Sequence, residues 1–251
     1  MRLFLCFAIS LMSLSIQSDV AAADAAAESR QLLVVTVANW NSTTGQLQRF
    51  DRERTGDSWR KTGTAIPVSI GRTGLAWGTG RHVVPQATDG GLKKEGDGRS
   101  PAGVFNLMNA FGYAATNTMK ALKIPYEQCM ESLRCVDDAA SADYNRILPE
   151  PKGGAPWKSA ELMKRDDDLY RLGVVVAHNR SPRVAGGGSC IFLHIWKEPG
   201  ATTSGCTAMA SRDLEVVVGW LDSAKQPLLV QWPETERVQL ARSWRMDLPL
   251  K

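Results

Sequence analysis

The sequence lacks the patterns on which several large enzyme classes depend. Its 251 residues include five cysteines and three histidines, and five cysteines are too few for a small scaffold held together by disulfides. No histidine belongs to an H-E-x-x-H pattern, which argues against a zinc peptidase. The phosphate loop G-x-x-x-x-G-K-[ST] and the hydrolase elbow G-x-S-x-G are also missing. We therefore expect neither a metal ion nor a cofactor.

A strong excess of one charge is missing too. Thirty Lys and Arg residues face 26 Asp and Glu residues, which gives a net charge of +4. Such a balance is too weak to indicate nucleic-acid binding. Hydrophobic residues make up 43% and charged residues 22% of the chain, as is ordinary for a soluble globular protein.

The N-terminus has the pattern of an export signal. Arg2 is followed by an apolar stretch over residues 3–16 and then by small residues up to Ala23, which suit a cleavage site. We predict that residues 1–23 are removed and that the mature protein is periplasmic or secreted. No later run is apolar over 18 residues, so we expect no stable membrane insertion after cleavage.

Short apolar runs rich in β-branched residues predict a mainly β fold. One amphipathic helix is expected over residues 211–221, with Ser211 as its N-cap. We place a catalytic domain at 31–232 and an inserted loop-rich subdomain at about 109–170. Outside them lie a loose Ala-rich segment at 24–30 and a C-terminal tail at 233–251. The predicted strands are 31–37, 46–50, 65–70, 104–107, 174–178, 191–196 and 227–232.

One cysteine has the setting of a nucleophile. Cys206 follows Gly205, which lets the backbone turn tightly, so that the amides of both residues can point at one oxygen. His194 lies twelve residues upstream near the end of an apolar strand. A histidine in such a strand is often a satisfied core residue, but beside an isolated Gly-Cys pair it is better explained as a base that activates the thiol.

The remaining cysteines are expected to be structural. Cys129 and Cys135 enclose a short polar loop, and an oxidising compartment would let them form a disulfide; the alternative is two free buried thiols. Cys190 lies in an apolar run and is interpreted as a small core residue.

Several side chains are candidates for binding substrate. Arg99 can clamp a carboxylate with two hydrogen bonds, although a loop ion pair explains it equally well. His178 either lines the cleft or satisfies a turn, and His82 is a weaker candidate for a contact with substrate carboxylates. Trp77 and Trp196 either form apolar walls of the cleft or pack in the core.

Two segments together resemble a known family. Residues 193–196 (Leu-His-Ile-Trp) followed by residues 203–206 (Thr-Ser-Gly-Cys) resemble the catalytic motif of L,D-transpeptidases of the YkuD type. That motif is a histidine, a variable loop and then [S/T]-H-G-C. Residues 100–105 (Ser-Pro-Ala-Gly-Val-Phe) resemble the T/S-P-x-G-x-F segment of the family. Residues 136–145 resemble a shorter motif of one exported subgroup.

The resemblance implies a β-sandwich-like catalytic domain with a cysteine nucleophile. It assigns Cys206 as nucleophile, His194 as general base and acid, the Gly205 and Cys206 amides as the oxyanion hole, and the Ile195 carbonyl as the group that orients the histidine. Because the thiol would then share a proton with the imidazole, we expect a thiolate that persists below the pKa of an isolated thiol.

The chain departs from the family motif at two positions. Ser204 stands where the family has a second histidine, and Ala208 where Asn or Arg is common. These positions tune the site and contact substrate, so the departures leave the acyl acceptor open.

The implied function is acyl transfer between peptidoglycan stem peptides through a cysteine thioester, which forms a crosslink. Two alternatives remain. An L,D-carboxypeptidase or amidase on the same scaffold would use water as the acceptor, and a noncatalytic wall-binding module would leave Cys206 inert.

Overall fold

The computed structural model describes residues 26–84, 89–246, 248 and 249. The predicted signal peptide lies outside this range. The fold is mainly β with few short helices, as predicted. Its strands are β1 (Gln31–Val37), β2 (Thr44–Asp51), β3 (Arg60–Ser69), β4 (Leu75–Trp77), β5 (Ser100–Gly112), β6 (Tyr126–Gln128), β7 (Leu133–Val136), β8 (Ile147–Pro149), β9 (Ala160–Leu162), β10 (Leu172–Val176), β11 (Phe192–Ile195), β12 (Thr207–Met209) and β13 (Leu228–Pro233). The helices are α1 (Ser211–Trp220), α2 (Arg237–Ser243) and the short 3-10 helices Thr116–Thr118, Asp168–Tyr170 and Ser223–Lys225.

Within the described residues, ten strands form one main sheet. Eight of them pair in a closed circuit, in the order β10-β11-β12-β3-β2-β1-β13-β5 and back to β10. The long strand β5 closes the circuit because its first half pairs with β13 and its second half with β10. Strand β1 lies between β2 and β13, which explains why its apolar run does not alternate with polar residues: nearly all of it is buried.

A second, smaller sheet has the order β8-β7-β9 and falls inside the predicted insertion. The excursion from the main sheet begins later than predicted, since β5 continues to Gly112. Ala110 and Phe111 are buried and pair with β10 on one side and β6 on the other.

The described parts of both predicted flanking segments are packed against the domain, contrary to expectation. The described part of the loose N-terminal segment is held by the Arg52 guanidinium, which donates to the carbonyls of Ala26, Ala27 and Ser29. The predicted C-terminal tail contains α2, and its Trp244 stacks on Trp232 with ring centroids 5.9 Å apart.

The predicted amphipathic helix is present as α1. Its buried face is formed by Leu214, Val217 and Val218, as the spacing indicated. Ser211 is the first helical residue and not the N-cap, which is Ala210. The Ser211 hydroxyl bonds instead to Glu215. No helix in the described part of the chain is long and apolar enough to cross a membrane.

Candidate active site

The parallel pairing of β11 and β12 brings the predicted nucleophile and base together. His194 lies opposite Ala208, and Cys206 directly precedes β12. Since side chains alternate along a strand, Cys206 shares a face with Ala208 and therefore with His194. Both side chains line one cavity of about 510 Å³.

The loop before β12 is fixed by hydrogen bonds to its backbone. Gly205 adopts φ +150°, and a Cβ there would lie 3.0 Å from the Arg99 carbonyl oxygen, so glycine is required. The Cys206 carbonyl accepts from Ser100 Oγ at 2.9 Å and from Thr203 Oγ1 at 2.6 Å. The Gly205 N–H donates to Thr203 Oγ1 at 3.1 Å. In this state the Gly205 amide is therefore engaged within the loop, unlike the free oxyanion donor that we expected.

The imidazole of His194 is oriented by its neighbour in the strand. Its Nδ1 lies 2.7 Å from the carbonyl oxygen of Ile195. A carbonyl can only accept, so Nδ1 carries the proton and Nε2 keeps a lone pair. Burial lowers the pKa of His194 to about 4, which keeps the ring neutral at pH 7. This arrangement can act as a general base.

The thiol of Cys206 is also buried and neutral. It accepts a hydrogen bond from the Phe192 N–H at 3.3 Å and donates to the Cys190 carbonyl at 3.4 Å. Burial, with a further contribution from the Glu161 carboxylate, raises its pKa to about 12. Together with the neutral His194, this opposes the resting thiolate that the sequence suggested.

The predicted disulfide between Cys129 and Cys135 is wrong. Cys135 is bonded to Cys190, and Cys129 is free and buried. The two predicted partners are attached to different sheets. Cys129 follows β6, and its N–H donates to the Gly112 carbonyl at the end of β5, whereas Cys135 lies in β7. Cys190 therefore forms a disulfide, whereas its apolar surroundings had suggested only a small core residue.

Two of the four predicted substrate-binding residues line the cavity. They are Ser204 and Trp196, and Ser204 Oγ accepts from the Arg72 guanidinium at 3.2 Å. Arg99 points elsewhere: its Nη1 donates to the Leu75 carbonyl at 2.7 Å, and it lines a separate cavity.

The other two histidines have structural surroundings. His178 accepts from the Thr79 N–H through Nδ1 and bonds the Gly187 carbonyl through Nε2. It therefore satisfies a turn, and it does not line the Cys206 cavity. His82 is buried between aromatic rings, including Trp77 and Trp244.

Sequence reasoning missed residues that reach the site through nonlocal pairing. Arg72 lies beside the nucleophile loop because Gly71 bridges to Thr203. Lys93 has a buried ammonium that lines the cavity, and Glu161 enters from β9. Nothing in their local sequence marks them as members of one site. The resemblance of residues 100–105 to a family motif was the available signal for Ser100. Among the described side chains, no group of three or more His, Cys, Asp or Glu residues could hold a metal ion.

One family model matches most of the chain. The model of the YkuD family, described as an L,D-transpeptidase catalytic domain, matches residues 44–231. No curated protein shows significant sequence similarity to the chain. Among solved structures, Bd1075 of Bdellovibrio bacteriovorus matches with 15% identity and a TM-score of 0.38, over 85% of this chain and 55% of that one. The helical cell shape determining protein Pgp2 of Campylobacter jejuni matches with 14% identity and a TM-score of 0.35, over 86% and 55%. The chain thus spans little more than half the length of either protein.

Proposed function

The chain belongs to the YkuD family of L,D-transpeptidase catalytic domains, which act on peptidoglycan peptides, and we propose that it transfers an acyl group between stem peptides through a thioester at Cys206. One observation carries the proposal: Cys206 and His194 share one face of the paired strands β11 and β12 and line the same cavity. A thiol and an unprotonated imidazole nitrogen in one cleft are the parts needed for nucleophilic catalysis.

The first step forms the thioester. His194 Nε2 takes the proton of the Cys206 thiol as sulfur attacks the carbonyl of the L-centre third residue of the donor stem. The tetrahedral intermediate collapses, the bond to the terminal D-residue breaks, and the imidazolium returns the proton to the leaving amine. The Cys206 N–H is the proposed donor to the oxyanion, and the Gly205 N–H joins it once released from Thr203.

The second step transfers the acyl group. An amine of a second stem attacks the thioester carbon, His194 removes the proton that this amine loses, and the thiol leaves protonated. The product is a crosslink. With water in place of the amine, the same steps give a shortened stem peptide.

The proposed setting is the cell envelope. It follows from the peptidoglycan substrate and from the export signal predicted at residues 1–23, with the mature protein periplasmic or secreted.

Incubation of the purified protein with a defined tetrapeptide muropeptide, followed by mass spectrometry, tests the proposal. We expect dimers that lack one terminal D-residue. Shortened monomers alone would show hydrolysis instead, and unchanged substrate would contradict enzymatic activity. Cys206→Ala should abolish all products, and Cys129→Ala, which removes the other free thiol of the described residues, should leave them unchanged.

A further inference from the structure

The small sheet β8-β7-β9 places the acidic side chain of Glu161 at the cavity that Cys206 lines. Glu161 lines the same cavity as Cys206 and lies opposite Cys135 in the pairing of β7 with β9. Cys135 is bonded to Cys190, whose carbonyl contacts the Cys206 thiol. The disulfide therefore ties the strand that carries Glu161 to the backbone beside the nucleophile.

Four cations line the cavity: Arg72, Lys93, Arg165 and Lys197. Two of them, Lys93 and Arg165, are paired with carboxylates of residues that do not line it. Lys93 Nζ lies 2.8 Å from Asp97 Oδ1. The guanidinium of Arg165 makes two hydrogen bonds to Asp167, at 2.9 and 2.8 Å. Because each of these two cations already has an aspartate partner, neither can fully neutralise a second carboxylate.

The three carboxylates of the cavity differ in their partners. Glu95 accepts from the hydroxyls of both Tyr144 and Ser189. Glu161 accepts a single side-chain hydrogen bond, from Tyr170 at 2.9 Å. The third, Asp137, has a buried Oδ1 without a hydrogen-bond partner among the described residues.

Glu161 consequently lacks a cationic partner. No Lys or Arg nitrogen of the described residues lies within 4.0 Å of its carboxylate. Burial raises its pKa to about 7; the charges of Asp137 and Glu95 add to this, and the charge of Arg165 and the Tyr170 hydroxyl oppose it. A buried carboxylate of this kind is stabilised by any cation that reaches it.

We propose that Glu161, assisted by Asp137, binds an ammonium group of the peptide substrates and thereby determines which peptides are used. The inference rests on the proposed function. Two groups offer this chemistry: an amine in the side chain of the donor's third residue, and the attacking amine of the acceptor before it loses its proton. A neutral side chain or a water molecule can hydrogen-bond to these carboxylates but gains no attraction between opposite charges.

The donor arm of the test uses two tetrapeptides that differ only in whether the third-residue side-chain amine is free or acetylated. The rate of release of the terminal D-residue gives kcat/KM for each. If the donor supplies the ammonium, the wild-type protein prefers the free amine, and Glu161→Gln lowers that preference by about tenfold or more, the usual scale for a charge-assisted hydrogen bond.

The acceptor arm uses the acetylated donor and measures the partition of the thioester between an added amine and water. If the acceptor supplies the ammonium, Glu161→Gln lowers the share of amine product by a similar factor while the release of the D-residue is unchanged. Glutamine still accepts from Tyr170, so the local packing is preserved. Should Glu161→Gln fail to fold, Asp137→Asn carries the same test with the same expected direction.

Glu131→Gln is the matched control, because Glu131 is exposed and lies outside the cavity; both ratios should stay at the wild-type value. Unchanged ratios in both arms for Glu161→Gln would overturn the inference. Failure to form a thioester with either peptide would instead overturn the proposed function, so the two failures are distinguishable.

Discussion

At the scale of single residues, the protonation of the proposed catalytic pair, Cys206 and His194, governs reactivity. The sequence pattern predicts this pair but does not show how deeply the two side chains are buried. Burial disfavours both charged forms, so it raises the pKa of Cys206 to about 12 and lowers that of His194 to about 4. The resting site is therefore a neutral thiol beside a neutral imidazole, and the proton moves only during attack.

Alkylation of Cys206 should accordingly be slow at neutral pH and rise with pH up to at least about pH 10. Iodoacetamide labelling resolved by peptide mass spectrometry measures this, since Cys129 is a second free thiol. His194→Ala should leave the profile nearly unchanged while lowering turnover by about 10² or more. Fast labelling with a plateau at about pH 6–7, lost in His194→Ala, would instead show a resting ion pair.

The substrate-binding residues illustrate what local sequence does not contain. Arg99 was a candidate for binding a substrate carboxylate, yet its guanidinium donates a hydrogen bond to the Leu75 carbonyl. Arg72 reaches Ser204 because two distant segments pair. Such contacts follow from the closed arrangement of strands and cannot be read from spacing along the chain.

At the scale of elements, apolar runs predicted the main strands well. The sequence did not predict the small sheet or the disulfide that joins its strand β7 to Cys190. Strands β7 to β9 have three or four residues each, too short for a periodic signal. The disulfide partner of Cys135 is 55 residues away, so proximity in sequence favoured Cys129 wrongly.

Digestion of the unreduced protein should yield a linked pair of peptides containing Cys135 and Cys190. Replacing both with alanine should destabilise the protein by about 4 kcal/mol in the chain-entropy model for a loop of this length, measured by urea unfolding. In the denatured, unreduced mature protein, which lacks Cys6 of the predicted signal peptide, two thiols should react: Cys129 and Cys206. A linked pair containing Cys129 would contradict the structure.

The C-terminal helix α2 should be required for stability. Its neighbour Trp244 is buried and packs on Trp232 and Trp77. Trp244→Ala leaves a large cavity there, so we expect a loss of about 3–5 kcal/mol in the free energy of unfolding. Val238→Ala is the control, since Val238 is exposed on the same helix and should cost little. Equal effects of the two variants would show that the segment is not part of the core.

At the scale of the whole molecule, all three histidines are buried and resist protonation. Burial lowers the pKa of His82, His178 and His194 from 6.5 to about 4 in each case. Between these values the unfolded chain binds more protons than the folded one, so stability falls as pH decreases from 6.5 to 4. Glu161, whose pKa is raised from 4.5 to about 7, works in the opposite direction between these values, but it is one group against three.

The urea midpoint should therefore drop between about pH 6.5 and pH 4. His82→Gln, which keeps an acceptor for the Val104 N–H, should reduce the accompanying loss in the free energy of unfolding by up to about 3 kcal/mol. A midpoint that is constant over this range would show that the histidines titrate normally in the folded protein.

The most direct test of the central claim is the intact mass of the protein during reaction with a tetrapeptide donor and no added amine. We expect an adduct equal to the donor acyl group without its terminal D-residue, located on Cys206 by peptide mapping. This adduct should be absent in Cys206→Ala and should form slowly in His194→Ala. Turnover without such an adduct, or an adduct that persists in Cys206→Ala, would contradict the account.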